Sequence, residues 1–231
     1  MRKSDFFSKV KGKLIVSCQA LEDEPLHGSN IMAKMAVAAE QGGASGIRAN
    51  GSEDIKAIEQ VTSLPIIGLV KRDYEDSEVY ITPTRKEVDE LLDTGVVMIA
   101  LDATSRRRPN EENLPDLITY IKQHGRLVLA DISTVEEGLK ALEYGADCVS
   151  TTLSGYTSYT RSSNSGPDIE LVEELSRLTS QPVIAEGRVN NPEEVSILLE
   201  KGAHTVVVGS AITRPQHITE KFVQALNIKN A

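Results

Sequence analysis

Two ionisable side chains, Lys71 and Glu186, each end a short apolar run and could move protons. Lys71 follows residues 66–70, and apolar neighbours disfavour an ammonium ion, so its pKa should fall and the amine could act as a base or form a Schiff base. Glu186 follows residues 183–185, and a carboxyl group there could donate or remove a proton. The structural alternatives are an ordinary ion pair between the lysine and an aspartate, and an orienting hydrogen bond from the glutamate to a substrate.

Other apolar runs along the chain also end in polar residues. Charges beside an apolar core are costly unless they are paired with other charges or have a functional role, so the set as a whole indicates a functional site. We expect Asp102 and Asp131 to hold hydroxyl groups or to tune Lys71. The remaining polar run ends are Gln19, Arg48, Thr151 with Thr152, and Gly209 with Ser210.

A phosphate-binding site is predicted near the C-terminus. The apolar run at residues 206–208 leads into a segment that could begin a short helix, and the N-terminus of a helix attracts anions. Glycine lets the backbone approach a ligand closely. A tight turn without a ligand is the alternative. The predicted phosphate ligands are Gly187, Gly209, Ser210 and Arg214.

Eight β-rich runs alternate with helical patterns along the 231 residues. The runs are almost continuously apolar, as expected for parallel strands buried on both faces. They predict an α/β fold, a single (β/α)8 TIM barrel domain over residues 1–231, with residues 1–12 as an N-terminal helical extension. The predicted strands are Lys13–Gln19, Gly46–Ala49, Pro65–Lys71, Val96–Asp102, Leu127–Ile132, Cys148–Thr152, Val183–Glu186 and Thr205–Gly209.

The main alternative fold is a doubly wound open sheet. Such sheets usually carry a glycine-rich fingerprint after the first strand, and residues 17–20 read Ser-Cys-Gln-Ala. In a closed barrel, the C-terminal ends of all the strands meet at the catalytic face. The barrel would therefore gather the polar run ends into one site.

Local signals mark where several helices begin and end. Thr84 with Glu87 and Ser133 with Glu136 have the capping-box spacing, and Asn191 before a proline is a third helix start. Glycine at a helix end can adopt the left-handed conformation that stops the helix. The Gly-Ala pairs that repeat before strands are Gly43-Ala44, Gly145-Ala146 and Gly202-Ala203.

Bulk properties argue against several classes of function. The net charge of −9 argues against broad nucleic-acid binding, which needs a basic face. The apolar runs are far shorter than the roughly 20 residues that a membrane helix needs, and residues 1–13 lack the features of a secretory signal. We therefore expect a cytoplasmic protein with no nucleic-acid or membrane partner.

Metal and disulfide chemistry have little support in the sequence. The histidines His27, His124, His204 and His217 are scattered, and we expect no metal site. Cys18 and Cys148 lie in strand-like stretches and are expected to be reduced and buried.

Two loops between the predicted elements have a distinctive composition. Arg106–Arg108 is a basic run that could reach a phosphate, although a solvated loop is the preferred interpretation. Residues 155–167 are rich in Ser, Thr, Tyr and Gly and are predicted to be a mobile lid or an ordered substrate loop.

Motifs spanning residues 14 to 216 match one family. Taken together, they resemble the N-acetylmannosamine-6-phosphate 2-epimerases of bacterial sialic-acid catabolism. The matching segments are IVSCQALEDEPLHG, GGASGIRANG, LPIIGLVKRDY, VYITPT, IALDAT, LADISTVEEGLKA, STTLSGYT, VIAEGR and VVVGSAITRPQ.

The resemblance implies a TIM barrel that interconverts N-acetylmannosamine 6-phosphate and N-acetylglucosamine 6-phosphate as a homodimer, with no cofactor or metal. It implies that Lys71 and Glu186 transfer the proton at C2. It also implies that Gln19, Arg48 and Asp131 line the substrate site. The alternatives are a Schiff-base aldolase or synthase, a metal-dependent ribulose-phosphate-type epimerase, which the missing histidine pair argues against, and a non-catalytic sugar-phosphate sensor.

Overall fold

A closed barrel of eight parallel strands in chain order makes up the centre of the protein. The computed structural model describes residues 3–160 and 166–227. Because β8 pairs with β1, the predicted barrel is confirmed and the open sheet is excluded. The strands are β1 Leu14–Cys18, β2 Gly46–Asn50, β3 Ile66–Leu69, β4 Met98–Asp102, β5 Leu127–Asp131, β6 Cys148–Ser150, β7 Val183–Glu186 and β8 Thr205–Val208.

Helices follow the strands and pack their apolar faces against the outside of the barrel. Val88 and Leu91, three residues apart and therefore on one helical face, are both fully buried. Two 3-10 turns, Pro109–Glu111 and Thr151–Leu153, lie in the loops. The helices are α1 Lys3–Val10, α2 Ser29–Gln41, α3 Ser52–Glu59, α4 Arg85–Leu92, α5 Leu114–Gln123, α6 Val135–Glu143, α7 Ile169–Leu178, α8 Pro192–Glu200, α9 Ser210–Thr213 and α10 Pro215–Asn227.

Most of the predicted helix boundaries are confirmed. Thr84 and Glu87 form a capping box at α4, and Asn191 accepts a hydrogen bond from Glu194 N at the start of α8. The capping box predicted at Ser133 was wrong by one residue, because the carboxylate of Glu137 is the one that folds back over the start of α6 and Thr134 is its cap. The predicted left-handed glycines Gly43, Gly145 and Gly202 have φ of 93°, 102° and 102°.

Alternate residues of each strand point into the barrel, and those of every strand except β2 form an inner apolar cluster. Its strand members include Ile15, Ile67, Met98, Leu129 and Ile184. The same alternation brings the last residues of the strands, or those just beyond them, to the inner side of the C-terminal face. These positions are Gln19, Arg48, Lys71, Asp102, Asp131, Glu186 and Gly209.

Helix α1 closes the opposite end of the barrel. Phe6 and Val10 are fully buried in the inner cluster, and Phe7 packs edge-on against His204. His204 Nε2 lies 2.8 Å from the carbonyl oxygen of Phe7, next to the start of β8. The predicted helical extension therefore contains a helix over residues 3–10, while residues 1 and 2 lie outside the described part.

The two cysteines and the helix lengths agree with the sequence expectations. Cys18 and Cys148 are both free thiols and both buried. Within residues 3–160 and 166–227, no helix has the length and apolar character needed to cross a bilayer.

Candidate active site

A cavity of about 580 Å³ opens at the C-terminal ends of the strands. Two of the predicted site residues, Asp131 and Thr151, do not line it. The predicted residues that do are Gln19, Arg48, Lys71, Glu186, Gly187, Gly209, Ser210 and Arg214.

Arg48 connects two carboxylates at the base of this cavity. Its Nη1 and Nη2 atoms donate to Asp131 Oδ1 and Oδ2 at 3.0 and 2.6 Å, and Nη1 also donates to Glu186. The side chains of Arg48 and Asp131 are 1% and 0% exposed. Burial alone would lower the pKa of Arg48, but the two carboxylates outweigh it and hold the pKa above its ordinary value. The guanidinium is thus a fixed positive charge.

Glu186 has the properties of a carboxyl group that can hold a proton. Burial, the largest cause, raises its pKa, and Asp131 raises it further, whereas Arg48 lowers it. The net pKa is above the ordinary value. The hydroxyl of Thr152 donates to Asp131 Oδ1 at 2.6 Å and lies 3.3 Å from a Glu186 carboxylate oxygen.

Lys71 faces this cluster from the other side of the barrel. Strands β3 and β7 are four places apart in the ring of eight, so the residues at their ends lie across the axis from each other. Within the described ranges, Lys71 Nζ forms neither an ion pair nor a hydrogen bond, so the ion pair with Asp102 or Asp131 considered from the sequence is not formed. Burial, followed by the positive charges of Arg48 and Arg214, lowers the pKa of Lys71, as the sequence predicted.

Asp131 and Thr151 lie behind the cavity, contrary to the expectation that they line it. The oxygens of Asp131 are engaged by Arg48 and Thr152, so this carboxylate acts through its neighbours. The Thr151 hydroxyl donates to Glu186 O at 2.9 Å and accepts from Glu186 N at 3.1 Å. Strand β6 ends at Ser150, and in the 3-10 turn that follows it the Thr152 hydroxyl lies 2.8 Å from Ser150 Oγ and lines the cavity, whereas the Thr151 side chain is directed to the backbone of Glu186.

Asp102 is also withdrawn from the cavity, although it ends β4 on the inner side. Arg106 Nη2 donates to Asp102 Oδ2 at 2.6 Å, and Thr104 donates to Oδ1 through its hydroxyl at 2.6 Å. Its carboxylate therefore stabilises the loop that follows β4.

The basic run Arg106–Arg108 is not the solvated loop that the sequence favoured. Arg106 is largely buried against Asp102, and buried Arg108 donates to the carbonyl oxygens of Thr82 and Pro83 at 3.3 and 3.0 Å. Arg107, with 73% of its side chain exposed, is the solvated member. None of the three lines the cavity described above.

Part of the loop at residues 155–167 lies beside the cavity, where Tyr156 lines it. Arg188 holds the loop on both sides, with Nη1 donating to Ser154 O and Nε donating to Gly166 O at 2.9 Å. Residues 161–165, which carry the rest of the predicted lid, lie outside the described residues.

The predicted phosphate loops converge on one side of the cavity. Gly209 immediately precedes α9, and Gly187 has a φ of 105°, a left-handed conformation that favours glycine. Arg214 Nη1 donates to Ser210 Oγ at 2.8 Å, and its Nε and Nη2 both donate to Glu24. Gly187, Gly209, Ser210 and Arg214 therefore line one side of the cavity, where the guanidinium supplies a positive charge.

Tyr80 is a cavity residue that sequence reasoning missed. Burial raises the pKa of its phenol to about 12, and the nearby charges of Asp131 and Asp102 add to the effect. The sequence feature that could have indicated Tyr80 is the apolar run at residues 79–81, between β3 and α4. In the structure this run lies antiparallel to the segment after β3, so that Ile81 pairs with Lys71.

The described part of the chain brings together no group of three or more His, Cys, Asp or Glu side chains arranged to hold a metal ion.

Known proteins resemble this chain along nearly its whole length. The family model described as "Putative N-acetylmannosamine-6-phosphate epimerase" matches residues 32–228. The chain belongs to this epimerase family. A member from Clostridioides difficile (strain 630), named as a 2-epimerase of the same substrate, is 64% identical over 220 residues, which cover 95% of this chain and 98% of the relative.

Other members of the epimerase family are also similar to this chain over nearly its full length. A relative of the same name from Listeria monocytogenes (strain EGD-e) is 49% identical over 94% of this chain and 93% of its own length. The solved N-acetylmannosamine-6-phosphate 2-epimerase from Clostridium perfringens superposes with a TM-score of 0.93 at 60% identity, covering 95% of both chains. The resemblance inferred from the motifs is confirmed. A thiamine phosphate pyrophosphorylase from Pyrococcus furiosus, 18% identical with a TM-score of 0.61, shares the fold alone.

Proposed function

We propose that this protein is an isomerase that interconverts N-acetylmannosamine 6-phosphate and N-acetylglucosamine 6-phosphate. Family membership supports the reaction. The observation that carries it at this site is the amine of Lys71, which has no partner among the described residues and faces the buried carboxyl of Glu186 across one cavity. Such a pair can act on opposite faces of one carbon atom, which is what an epimerisation requires.

In the proposed reaction, the open-chain sugar lies with C2 between these two groups. One of them takes the C2 proton, the electrons of the C–H bond form a C1–C2 double bond, and the aldehyde oxygen becomes an enolate. The other group then donates a proton to the opposite face of C2, and the aldehyde re-forms. Arg48 stabilises the enolate charge, and Asp131 fixes the position of Arg48.

The phosphate anchors the substrate away from the reacting atoms. Gly187, Gly209, Ser210 and Arg214 hold it, and this remote binding energy positions C2. Gln19 and Thr152 also line the cavity and can bind sugar hydroxyls or the acetamide. Proton transfer by these side chains needs no metal or organic cofactor, so we expect full activity in the presence of a chelator.

The decisive experiment is NMR of N-acetylmannosamine 6-phosphate with the protein in D₂O. Formation of N-acetylglucosamine 6-phosphate with deuterium at C2 supports the proposal. Inversion with full retention of the C2 proton would exclude exchange with solvent during the reaction. Absence of turnover would favour a non-catalytic sensor.

A Schiff-base aldolase or synthase is the second candidate, because the free amine of Lys71 has a lowered pKa. Such an enzyme would cleave or form a carbon–carbon bond through an imine. Borohydride would then trap a covalent adduct at Lys71 together with a shorter or longer product.

We further propose that the protein is a cytoplasmic homodimer that acts in sialic-acid breakdown. Helix α10 supports self-association, because its apolar residues Phe222 and Leu226 are 73% and 68% exposed. Analytical ultracentrifugation of Phe222→Asp against the wild type tests this, and an unchanged mass would argue against α10 as the interface.

A further inference from the structure

Glu24 lies in the loop after β1 and binds the segment that follows β8. Arg214 Nη2 donates to Glu24 Oε2 at 2.8 Å, and Arg214 Nε donates to Oε1. Gln216 Nε2 donates to Oε1 at 3.1 Å, and Leu21 N donates to Oε2 at 2.8 Å. Both oxygens are thus satisfied by donors from two loops that lie far apart in the sequence.

This carboxylate determines which edge of the Arg214 guanidinium remains available. The guanidinium is a rigid plane, and Glu24 engages the edge formed by Nε and Nη2. Nη1 is left on the opposite side, where it donates to Ser210 Oγ at 2.8 Å. Arg214 and Ser210 line the cavity, so Nη1 lies beside the space that we assign to the phosphate.

The Glu24 carboxylate has an unfavourable effect on phosphate binding as well as a favourable one. A carboxylate near a phosphate-binding arginine repels the ligand and cancels part of the positive charge. Hydrogen bonding from Arg214 is nevertheless the largest cause that lowers the pKa of Glu24, so the glutamate is ionised at neutral pH. A fixed direction for the guanidinium offsets the repulsion, since a long flexible side chain otherwise loses entropy when it binds.

We infer that Glu24 is a positioning residue for phosphate binding, which acts through Arg214 without touching the substrate. This inference rests on the proposed function, because it takes the phosphate to lie beside Arg214 and Ser210. It also connects the first loop of the catalytic face to the last, so that the bound phosphate and the loop at residues 20–28 share one ion pair.

The test compares Glu24→Gln with Glu22→Gln, the same chemical change at an exposed position of the same loop. The measurements are KM, kcat and the inhibition constant of inorganic phosphate. For Glu24→Gln, we expect KM and the inhibition constant each to rise about tenfold, with kcat within about twofold of the wild type. For Glu22→Gln, all three should be unchanged, and Glu24→Asp, which keeps the charge, should recover part of the loss.

Three results would overturn the inference. Unchanged KM and inhibition constant, with only a lower melting temperature, would make Glu24 purely structural. Tighter phosphate binding by Glu24→Gln would mean that the glutamate competes with phosphate for Arg214. A lower kcat at constant KM would place its effect on the chemistry.

The role of Glu24 can be tested even if the protein does not catalyse the proposed reaction. If the wild type does not turn over N-acetylmannosamine 6-phosphate, calorimetric titration of inorganic phosphate into the wild type and Glu24→Gln still measures the effect of Glu24. A loss of phosphate affinity in the variant alone would then support the positioning role without the epimerase reaction.

Discussion

Arg48 and Asp131 form a bidentate ion pair with N–O distances of 3.0 and 2.6 Å. Both side chains are almost completely shielded from water. Attraction between buried charges offsets their desolvation only while both partners are present. Removing one partner therefore costs more than the loss of an exposed ion pair.

Asp131→Asn should lower the free energy of unfolding by about 3 kcal/mol, near the lower end for a broken buried pair, because Glu186 still neutralises part of the charge of Arg48. Urea unfolding measures the change. Glu111→Gln is the matched control, because Glu111 and its ion-pair partner Arg107 have side chains that are 85% and 73% exposed. This substitution should change the free energy of unfolding by less than about 0.5 kcal/mol. Equal effects of the two substitutions would contradict the prediction.

The same substitution should shift the pH dependence of activity. The pKa of Glu186 is raised, first by burial and then by Asp131. If Glu186 must be ionised in one direction of the reaction, activity is lost as the pH falls through this raised pKa. Asp131→Asn removes one negative neighbour, so the pKa of Glu186 falls and the acidic limb of kcat/KM moves to lower pH. A limb that moves to higher pH would refute this assignment.

Lys71→Met and Glu186→Gln should each reduce epimerisation by about 10²- to 10⁴-fold, the usual contribution of one acid–base group. If the two groups serve opposite faces of C2, each variant should still exchange the C2 proton of one epimer with D₂O while failing to invert it. NMR with each epimer separately measures this and assigns the faces. Wild-type exchange of both epimers by Lys71→Met would exclude the lysine as a base.

Thr151→Val should impair catalysis although Thr151 does not line the cavity. The substitution removes both hydrogen bonds to the Glu186 backbone, and a shift of the carboxyl group by about 1 Å can cost about 10²-fold. We expect a lower kcat and nearly constant KM. Thr151→Ser, which keeps the hydroxyl, should retain most of the activity, and equal kcat values for the two variants would argue against the positioning role.

Much of the fold could be predicted because parallel strands buried on both faces leave continuous apolar runs. The polar residues that end those runs, such as Lys71 and Glu186, could be placed on one face for the same reason. The same reasoning could not separate Thr151 from Thr152, because the strand ends at Ser150 and both threonines lie in the 3-10 turn that follows it.

Contacts made by the loops could not be predicted in this way. Asp102 ends its strand as Asp131 does, but Arg106, four residues later, turns back and covers it. Arg214 meets Glu24 across 190 residues of sequence, and no periodic pattern encodes such a pair. Which strand-end residues face the cavity thus depends on loop conformations that local spacing does not reveal.

Helix α1, with Phe6 and Val10 filling the base of the barrel, has a kinetic consequence. Together with the inner apolar cluster it fills the barrel, so substrate and product must enter and leave through the same opening at the C-terminal ends of the strands. Substrate and product differ only in the configuration at C2 and carry the same phosphate anchor. Each should therefore inhibit the conversion of the other competitively, and when the enzyme is saturated the net flux should depend on their concentration ratio rather than on either concentration alone.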